Sequence, residues 1–160
     1  MIRLRAIEPE DLELVCQIEN DEQQMEWGAN NVPLSRYTIR QYLVEQKNDI
    51  YQDGQVRLIV EADGKAVGIC DLCAFEPRHL RAEVGIVILR DHRRRGIAMS
   101  ALRQLATYAA KLRLRSLYAY VSEENQPAQN LFQSAGYTVS GKLQRWLEGE
   151  TPAILYQYLL

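Results

Sequence analysis

The chain has 160 residues, enough for one domain with a substantial core, and residues 1–160 are expected to form a single domain. Its 19 basic and 21 acidic side chains nearly cancel, which argues against a general nucleic-acid binder. No apolar run approaches the roughly 20 residues that span a bilayer. The alternating start Met1-Ile2-Arg3-Leu4-Arg5 lacks the apolar core of a signal peptide, so a cytoplasmic protein is expected, without nucleic-acid or membrane partners.

In chain order, residues 2–7 read as a strand. Glu8-Pro9-Glu10-Asp11 opens a helix, with Pro9 tolerated in the first turn and acids placed well for the dipole. Leu12, Val15, Cys16 and Ile18 share its apolar side. Residues 20–33 are polar and loop-like, and Ser35 caps a second helix reaching about residue 48. Residues 56–61 and 66–75 read as strands joined by the tight turn Ala62-Asp63-Gly64-Lys65. A strand over 80–89 leads to a long helix over 96–112, with Ala101, Leu102, Leu105, Ala106 and Ala109 as its buried stripe. The strand 116–121 sets Leu117, Ala119 and Val121 on one face and Tyr118 and Tyr120 on the other. A helix over 125–135 begins near Pro127 and stops at Gly136, and strands over 137–143 and 153–159 complete the chain. The early strands are antiparallel neighbours, whereas the strand–helix–strand unit around Gly96 must be parallel and right-handed. The fold class is therefore α/β, a mixed sheet with helices on both faces.

Cys16, Cys70 and Cys73 form an odd set, which argues against a disulfide framework. Cys70-x-x-Cys73 lies within a strand, so the two thiols face opposite sides. The only histidines are His79 and His92, and no metal site is expected.

Arg93-Arg94-Arg95-Gly96-Ile97-Ala98 is the most informative stretch, because a basic turn leads from a strand straight into a helix. The first N–H groups of a helix have no partner within it and carry the positive end of its dipole. An anionic ligand satisfies both, and Gly96 lets backbone approach that ligand. The spacing is neither a Rossmann fingerprint nor a Walker P-loop. A merely solvated basic turn is the alternative.

Two motifs decide between them. Arg93-x-x-Gly96-x-Ala98 resembles the Arg/Gln-x-x-Gly-x-Gly/Ala motif of the GNAT superfamily of acyl-CoA N-acyltransferases. The segment Asn125-Gln126-Pro127-Ala128-Gln129-Asn130-Leu131-Phe132-Gln133-Ser134-Ala135-Gly136-Tyr137 resembles that family's Asn-x-x-Ala-x-x-x-Tyr/Phe-x-x-x-Gly-Phe/Tyr stretch. The resemblance covers nearly the whole chain. Arg3-Leu4-Arg5-Ala6, Glu10-Asp11-Leu12 and Arg81-Ala82-Glu83-Val84-Gly85-Ile86 make it most similar to the branch of spermidine/spermine and ribosomal-protein N-terminal acetyltransferases.

The resemblance implies a mostly antiparallel twisted sheet of about seven strands, one parallel splayed pair and about four helices. It implies acetyl-CoA as acetyl donor, entering between strands 80–89 and 116–121. Backbone groups of Val87, Ile88 and Leu89 would pair with the pantetheine arm. The N–H groups of Arg94, Arg95, Gly96, Ile97, Ala98 and Met99 would hold the pyrophosphate. Ser100 would add a hydroxyl, and Arg93, Arg94 and Arg95 would add charge. Asn125 and Asn130 would bond the cofactor arm, although Asn125 also suits a helix cap. Phe132 stands where many members carry the tyrosine that protonates the coenzyme thiolate. Tyr137, Tyr118, Tyr120 or a bound water would have to replace that phenol, with Tyr137 the catalytic candidate. Glu83 is the candidate for binding or deprotonating the amine, with a strand-surface pairing to Arg81 as the alternative.

Glu26 and Trp27 are expected to contact the acceptor, helped by the turn around Trp146 to Thr151. Their acidic, aromatic surroundings suit a cationic amine. The expected activity is acetyl transfer to a small cationic amine such as a polyamine, or to a protein N-terminus, by direct attack in a ternary complex. A non-catalytic acyl-CoA sensor on the same fold is the alternative, motivated by Phe132. Oligomeric state stays open, a homo-oligomer included.

Overall fold

The computed structural model describes residues 1–21 and 32–160. The strands are β1 (Ile2–Ala6), β2 (Val56–Ala62), β3 (Lys65–Glu76), β4 (Arg81–Ile88), β5 (Ser116–Ser122), β6 (Thr138–Leu143) and β7 (Ala153–Leu159). The helices are α1 (Leu12–Glu19), α2 (Arg36–Glu45), α3 (Ile50–Asp53), α4 (Ile97–Lys111) and α5 (Gln126–Ser134). The sheet has seven strands in the order β1-β2-β3-β4-β5-β7-β6. Every neighbouring pair is antiparallel except β4–β5. No helix among the described residues is long and apolar enough to cross a membrane.

Alternation along the strands divides the core in two. One face buries Leu58, Cys70, Leu72, Val84, Leu117, Ala119 and Tyr156 against Ala101, Leu102 and Leu105 of α4 and Phe132 of α5. The other buries Ile59 and Ile69 against Leu14, Val15 and Ile18 of α1 and Ile39 of α2. The stripe of α4 is buried as its spacing predicts, with Ile97 added. On α1, Leu14 is buried while Leu12 and Cys16 lie at the margin, because Pro9–Asp11 forms a separate 3-10 turn that rotates the entry. Cys70 and Cys73 do face opposite sides, and both thiols are free.

Local chemistry sets the joints. Asp63 and Gly64 both have positive φ (50° and 79°), the backbone of a type I′ hairpin turn. Ser35 caps α2, accepting a bond from the Thr38 N–H. α2 ends at Glu45, three residues before the expected end, and α3 was not expected. At four residues α3 is too short to show a period. It is held by the Asp49 cap and a left-handed Gly54. The signature Arg3, Arg5, Glu10 and Asp11 includes a structural staple. Arg5 donates to Asp11 through both terminal nitrogens (2.7 and 2.9 Å) and through Nε to Glu61 (2.6 Å), tying β1, the Pro9–Asp11 turn and β2 together. Gln104 of α4 donates to the Ile2 carbonyl (2.8 Å) and accepts from the Leu4 N–H (3.3 Å), so α4 is pinned to β1.

Candidate active site

β4 and β5 pair only through Arg81, Ala82 and Glu83 with Ser116, Leu117 and Tyr118. The closed end is fastened further by the Arg115 N–H on the Leu80 carbonyl (2.7 Å). Beyond Glu83 each strand keeps only its outer neighbour: β4 stays on β3 up to Ile88, and β5 stays on β7 up to Ser122. The sheet is thus split by a V-shaped gap. Inside it, backbone N–H and C=O groups are left without strand partners, and buried groups of this kind must be satisfied by something.

Strand parity selects those groups. The Leu89 N–H donates to Val67 (2.9 Å) and so faces β3. Direction alternates along a strand, so Val87 also turns to β3, while Ile86 and Ile88 turn to the gap. The expected trio Val87, Ile88 and Leu89 therefore narrows to Ile88 together with Ile86, which the sequence reading missed. Gly68 on β3 makes this register fit, since a Cβ there would lie 2.3 Å from the Val87 carbonyl.

At the wide end of the gap the chain turns into α4. Arg94 and Gly96 both adopt left-handed backbone (φ 60° and 74°), and Gly96 is the N-cap of α4. A non-glycine residue in that region is a strained choice that concentrates at functional sites. Alternating backbone of this kind turns successive N–H groups toward one point, an anion-binding nest. The first helical bond is donated by the Ser100 N–H to Gly96, so the amides of Ile97, Ala98 and Met99 have no partner within the helix. Arg94 and Arg95 are exposed beside them. Ser100 Oγ accepts from Gln104 (3.3 Å), leaving its own proton to donate. The Arg93 Nε donates to the Ile88 carbonyl (2.8 Å), fastening the turn to the strand end.

α5 closes the gap from the side of α4. Asn125 caps α5, its side chain accepting from the Ala128 N–H (3.2 Å), so Oδ1 is engaged and the side-chain amide is left to donate. Asn130 is exposed and accepts from Gln126 (2.8 Å). Phe132 is buried and packs edge-on against Tyr137 (centroids 5.0 Å apart) and stacked on Tyr156. Tyr137 is only 3% exposed.

On the opposite face, Glu83 sits at the apex of the gap, in the last residue pair before β4 and β5 part. Burial pushes its carboxyl above the usual carboxylate range, with a partly opposing contact from Cys73. Among the described residues its close partner is Cys73, the residue opposite it on β3, rather than Arg81. The Cys73 Sγ lies 3.7 Å from Glu83 Oε2, and burial with the Glu83 charge pushes that thiol up to about 12. A β-bulge follows Cys73, with Ala74 in left-handed backbone, the kind of irregularity that re-aims side chains beside active sites. Tyr118 stands next to Glu83, and Tyr120 and Trp146 continue an aromatic wall (5.5 and 5.3 Å between centroids). Toward α1 the same face carries Arg57, held by Asp71 (3.1 Å) and Glu19 (2.7 Å). Burial pushes the Asp71 carboxyl up despite Arg57. Glu26 and Trp27 lie outside the described residues. Among the described residues no group of three or more His, Cys, Asp or Glu is placed to hold a metal ion.

The sequence reading missed Cys73, Asp71 and Arg57. Their signal was present in the hairpin: once Asp63-Gly64 fixes the β2–β3 register, alternation puts Arg57, Asp71 and Cys73 on one face.

A gap that exposes strand backbone, ending in an anion nest at a helix start, suits a ligand with an amide-bearing arm and a pyrophosphate. Comparison with known proteins agrees. The chain matches the acetyltransferase (GNAT) domain over residues 2–138 and belongs to that family. It is similar to the spermidine N(1)-acetyltransferase of Escherichia coli (strain K12), 29% identical over 143 residues that cover 89% of this chain and 75% of the relative. It is also similar to a putative ribosomal N-acetyltransferase of Bacillus subtilis (strain 168), 26% identical over 99% of this chain and 91% of that protein. The spermidine N-acetyltransferase of Vibrio cholerae, solved in complex with CoA and spermine, shares the fold with a TM-score of 0.88 at 24% identity, covering 99% of this chain and 95% of that one. The chain is an acetyl-CoA-dependent N-acetyltransferase, with a seven-stranded mixed sheet carrying one parallel pair.

Proposed function

We propose that this chain moves the acetyl group of acetyl-CoA to a primary amine, either a small cationic amine such as a polyamine or a protein N-terminus. Attack is direct, in a ternary complex. The observation that carries this reading is Glu83 at the apex of the β4–β5 gap, with its carboxyl raised by burial. The bound cofactor supplies an activated thioester. The chain supplies the rest. Ile86 and Ile88 hold the arm by backbone bonds, and the nest of Arg94, Arg95, Gly96, Ile97, Ala98 and Met99 holds the pyrophosphate with Ser100. Asn125 and Asn130 border the arm from α5.

Orientation of two substrates can contribute about 7–11 kcal/mol to the acceleration. Glu83 takes the proton that the nitrogen loses, and a raised carboxyl pKa makes it a better base near neutrality. The Tyr118–Tyr120–Trp146 wall beside a carboxylate suits a cationic acceptor. Likeness to the Escherichia coli spermidine N(1)-acetyltransferase supports the polyamine version, and likeness to the Bacillus subtilis protein supports the N-terminus.

A thiol-release assay with acetyl-CoA across polyamines, amino acids and N-terminal peptides tests this reading, alongside calorimetry of acetyl-CoA. Turnover with polyamines alone supports the small-amine version, and turnover with peptides alone supports the N-terminal one. A second reading, a non-catalytic acyl-CoA sensor, draws on Phe132, which has no proton to give. Tight binding with no turnover of any amine would favour it.

A further inference from the structure

Glu83 is half-buried in the last residue pair that joins β4 to β5. Among the described residues its carboxylate has one hydrogen-bond donor, the Cys73 thiol, with Sγ 3.7 Å from Oε2. The same sulfur lies 3.6 Å from the Glu83 backbone carbonyl, so one thiol touches both the main chain and the side chain of this residue. A carboxylate drawn out of water stays charged only with help, from a cation or from hydrogen bonds to its ionised form.

The fold fixes where that thiol stands. Cys73 and Glu83 are the last regular pair on this side of the β3–β4 ladder, and pairing resumes only at Glu76 and Arg81. Between them Ala74 takes left-handed backbone (φ 47°). The Phe75 N–H donates to the Gly54 carbonyl (3.1 Å), and the Phe75 ring packs edge-on against Tyr51 of α3 (5.0 Å). α3 therefore anchors the bulge from outside, and the bulge ends the ladder at the Cys73–Glu83 pair. Side chains directly opposite each other on one face are close enough to interact. A slip of one residue would turn the thiol to the α4 face and leave Glu83 without it.

Resting on the acetyltransferase reading above, we propose that Cys73 is a positioning residue: its thiol donates to the Glu83 carboxylate and holds that base ionised at the apex of the gap. No bond to sulfur forms or breaks in this role, and the proton lost by the nitrogen still goes to Glu83. A thiol is a weak donor, but burial and the Glu83 charge push this one up to about 12, so its proton stays in place through the neutral range. Burial favours the neutral form of Glu83, and the thiol opposes it. The other charged or titratable groups around the pair, among the described residues, are Asp71 of β3, Arg57 of β2, Arg81 of β4, and Tyr118 and Tyr120 of β5. Loss of the thiol leaves burial unopposed, so the Glu83 pKa rises and the acid limb of the pH–rate profile moves to higher pH.

The test sets Cys73→Val against Cys73→Ser. Valine fills the position with an apolar group and no donor, whereas serine keeps a donor. In Cys73→Val the acid limb of kcat/KM should move up by about half a pH unit, roughly threefold in the ionisation constant, with the acetyl-CoA KM unchanged. Cys73→Ser should keep the limb at or below its parent position. An NMR titration of protein labelled with ¹³C at the glutamate carboxyls, with the Glu83 signal assigned by its loss in Glu83→Gln, should show the same order without cofactor or acceptor. Equal titration of Glu83 in the parent and Cys73→Val overturns the proposal and leaves the acetyltransferase reading intact. The reverse order, with valine like the parent and serine shifted or lower in melting temperature, also overturns it, because a packing role explains that result. A parent protein that turns over no amine overturns the acetyltransferase reading, and with it the catalytic role of Cys73, whatever the titration shows.

Discussion

The proposed donor side of the gap is made mainly of backbone: the strand amides of Ile86 and Ile88 and the turn from Arg94 to the start of α4. The proposed acceptor side is made of side chains from several elements, with Arg57 from β2, Asp71 and Cys73 from β3, Glu83 from β4 and Tyr118 and Tyr120 from β5. Backbone sites depend on φ and ψ and on the few residues that permit them. Side-chain sites depend on which strands lie together. The first kind leaves a short local motif, and the second leaves a pattern scattered over sixty residues of sequence.

The contrast predicts different responses to substitution. The largest effect belongs to the ion cluster. Arg57→Met removes the cation that pairs with Asp71 and Glu19 from a mostly buried place, since the Arg57 side chain is 12% exposed. It should cost roughly 3 kcal/mol in urea unfolding. A loss near zero would mean that the cluster does not organise the acceptor face.

Next comes Glu83→Gln, which removes the proposed base and should lower kcat/KM roughly 10²-fold at neutral pH. The pH profile carries the sign. A base works when deprotonated, so the parent enzyme loses activity as pH falls through the Glu83 pKa, which burial places above the ordinary carboxylate range. Glu83→Gln should lack that limb. Because burial raises the folded pKa above the unfolded one, Glu83 costs stability progressively as pH rises from its unfolded pKa and fully above its folded pKa, so the glutamine variant should melt higher at neutral pH.

Gly96→Val tests the backbone side. No atom lies within 4 Å of a Cβ placed there, so its cost is conformational, roughly 1–2 kcal/mol for a left-handed non-glycine residue. Acetyl-CoA affinity should fall by about tenfold, the equivalent of 1.4 kcal/mol, while the acceptor KM stays put. Equal weakening of both substrates would erase the distinction between the two sides. The smallest effect is expected from Asn125→Ala, which loses the α5 cap and should cost about 1 kcal/mol in stability.

Legibility followed the same division. The order of strands and long helices, the Asp63-Gly64 turn, the α4 stripe and the Gly96 turn were readable because each rests on local periodicity or on one residue's backbone freedom. The parity of β4 was readable in principle, yet the trio of consecutive residues expected on the gap ignored the alternation that the structure enforces. α3 left no period to detect. Cys73 looked inert because the Cys70-x-x-Cys73 spacing ruled out a pair, and nothing local announced that Glu83 lies opposite it. Tyr137 read as a catalytic candidate. Its orphaned hydroxyl appears only when α5, β7 and β3 come together around it.

The most direct test of the account is a crystal structure of the chain with coenzyme A. The account predicts the arm along Ile86 and Ile88, the pyrophosphate on the amides from Arg94 to Met99, and the sulfur at the apex beside Glu83. Coenzyme A bound outside the β4–β5 gap, or with its sulfur turned away from Glu83 toward solvent, would contradict it.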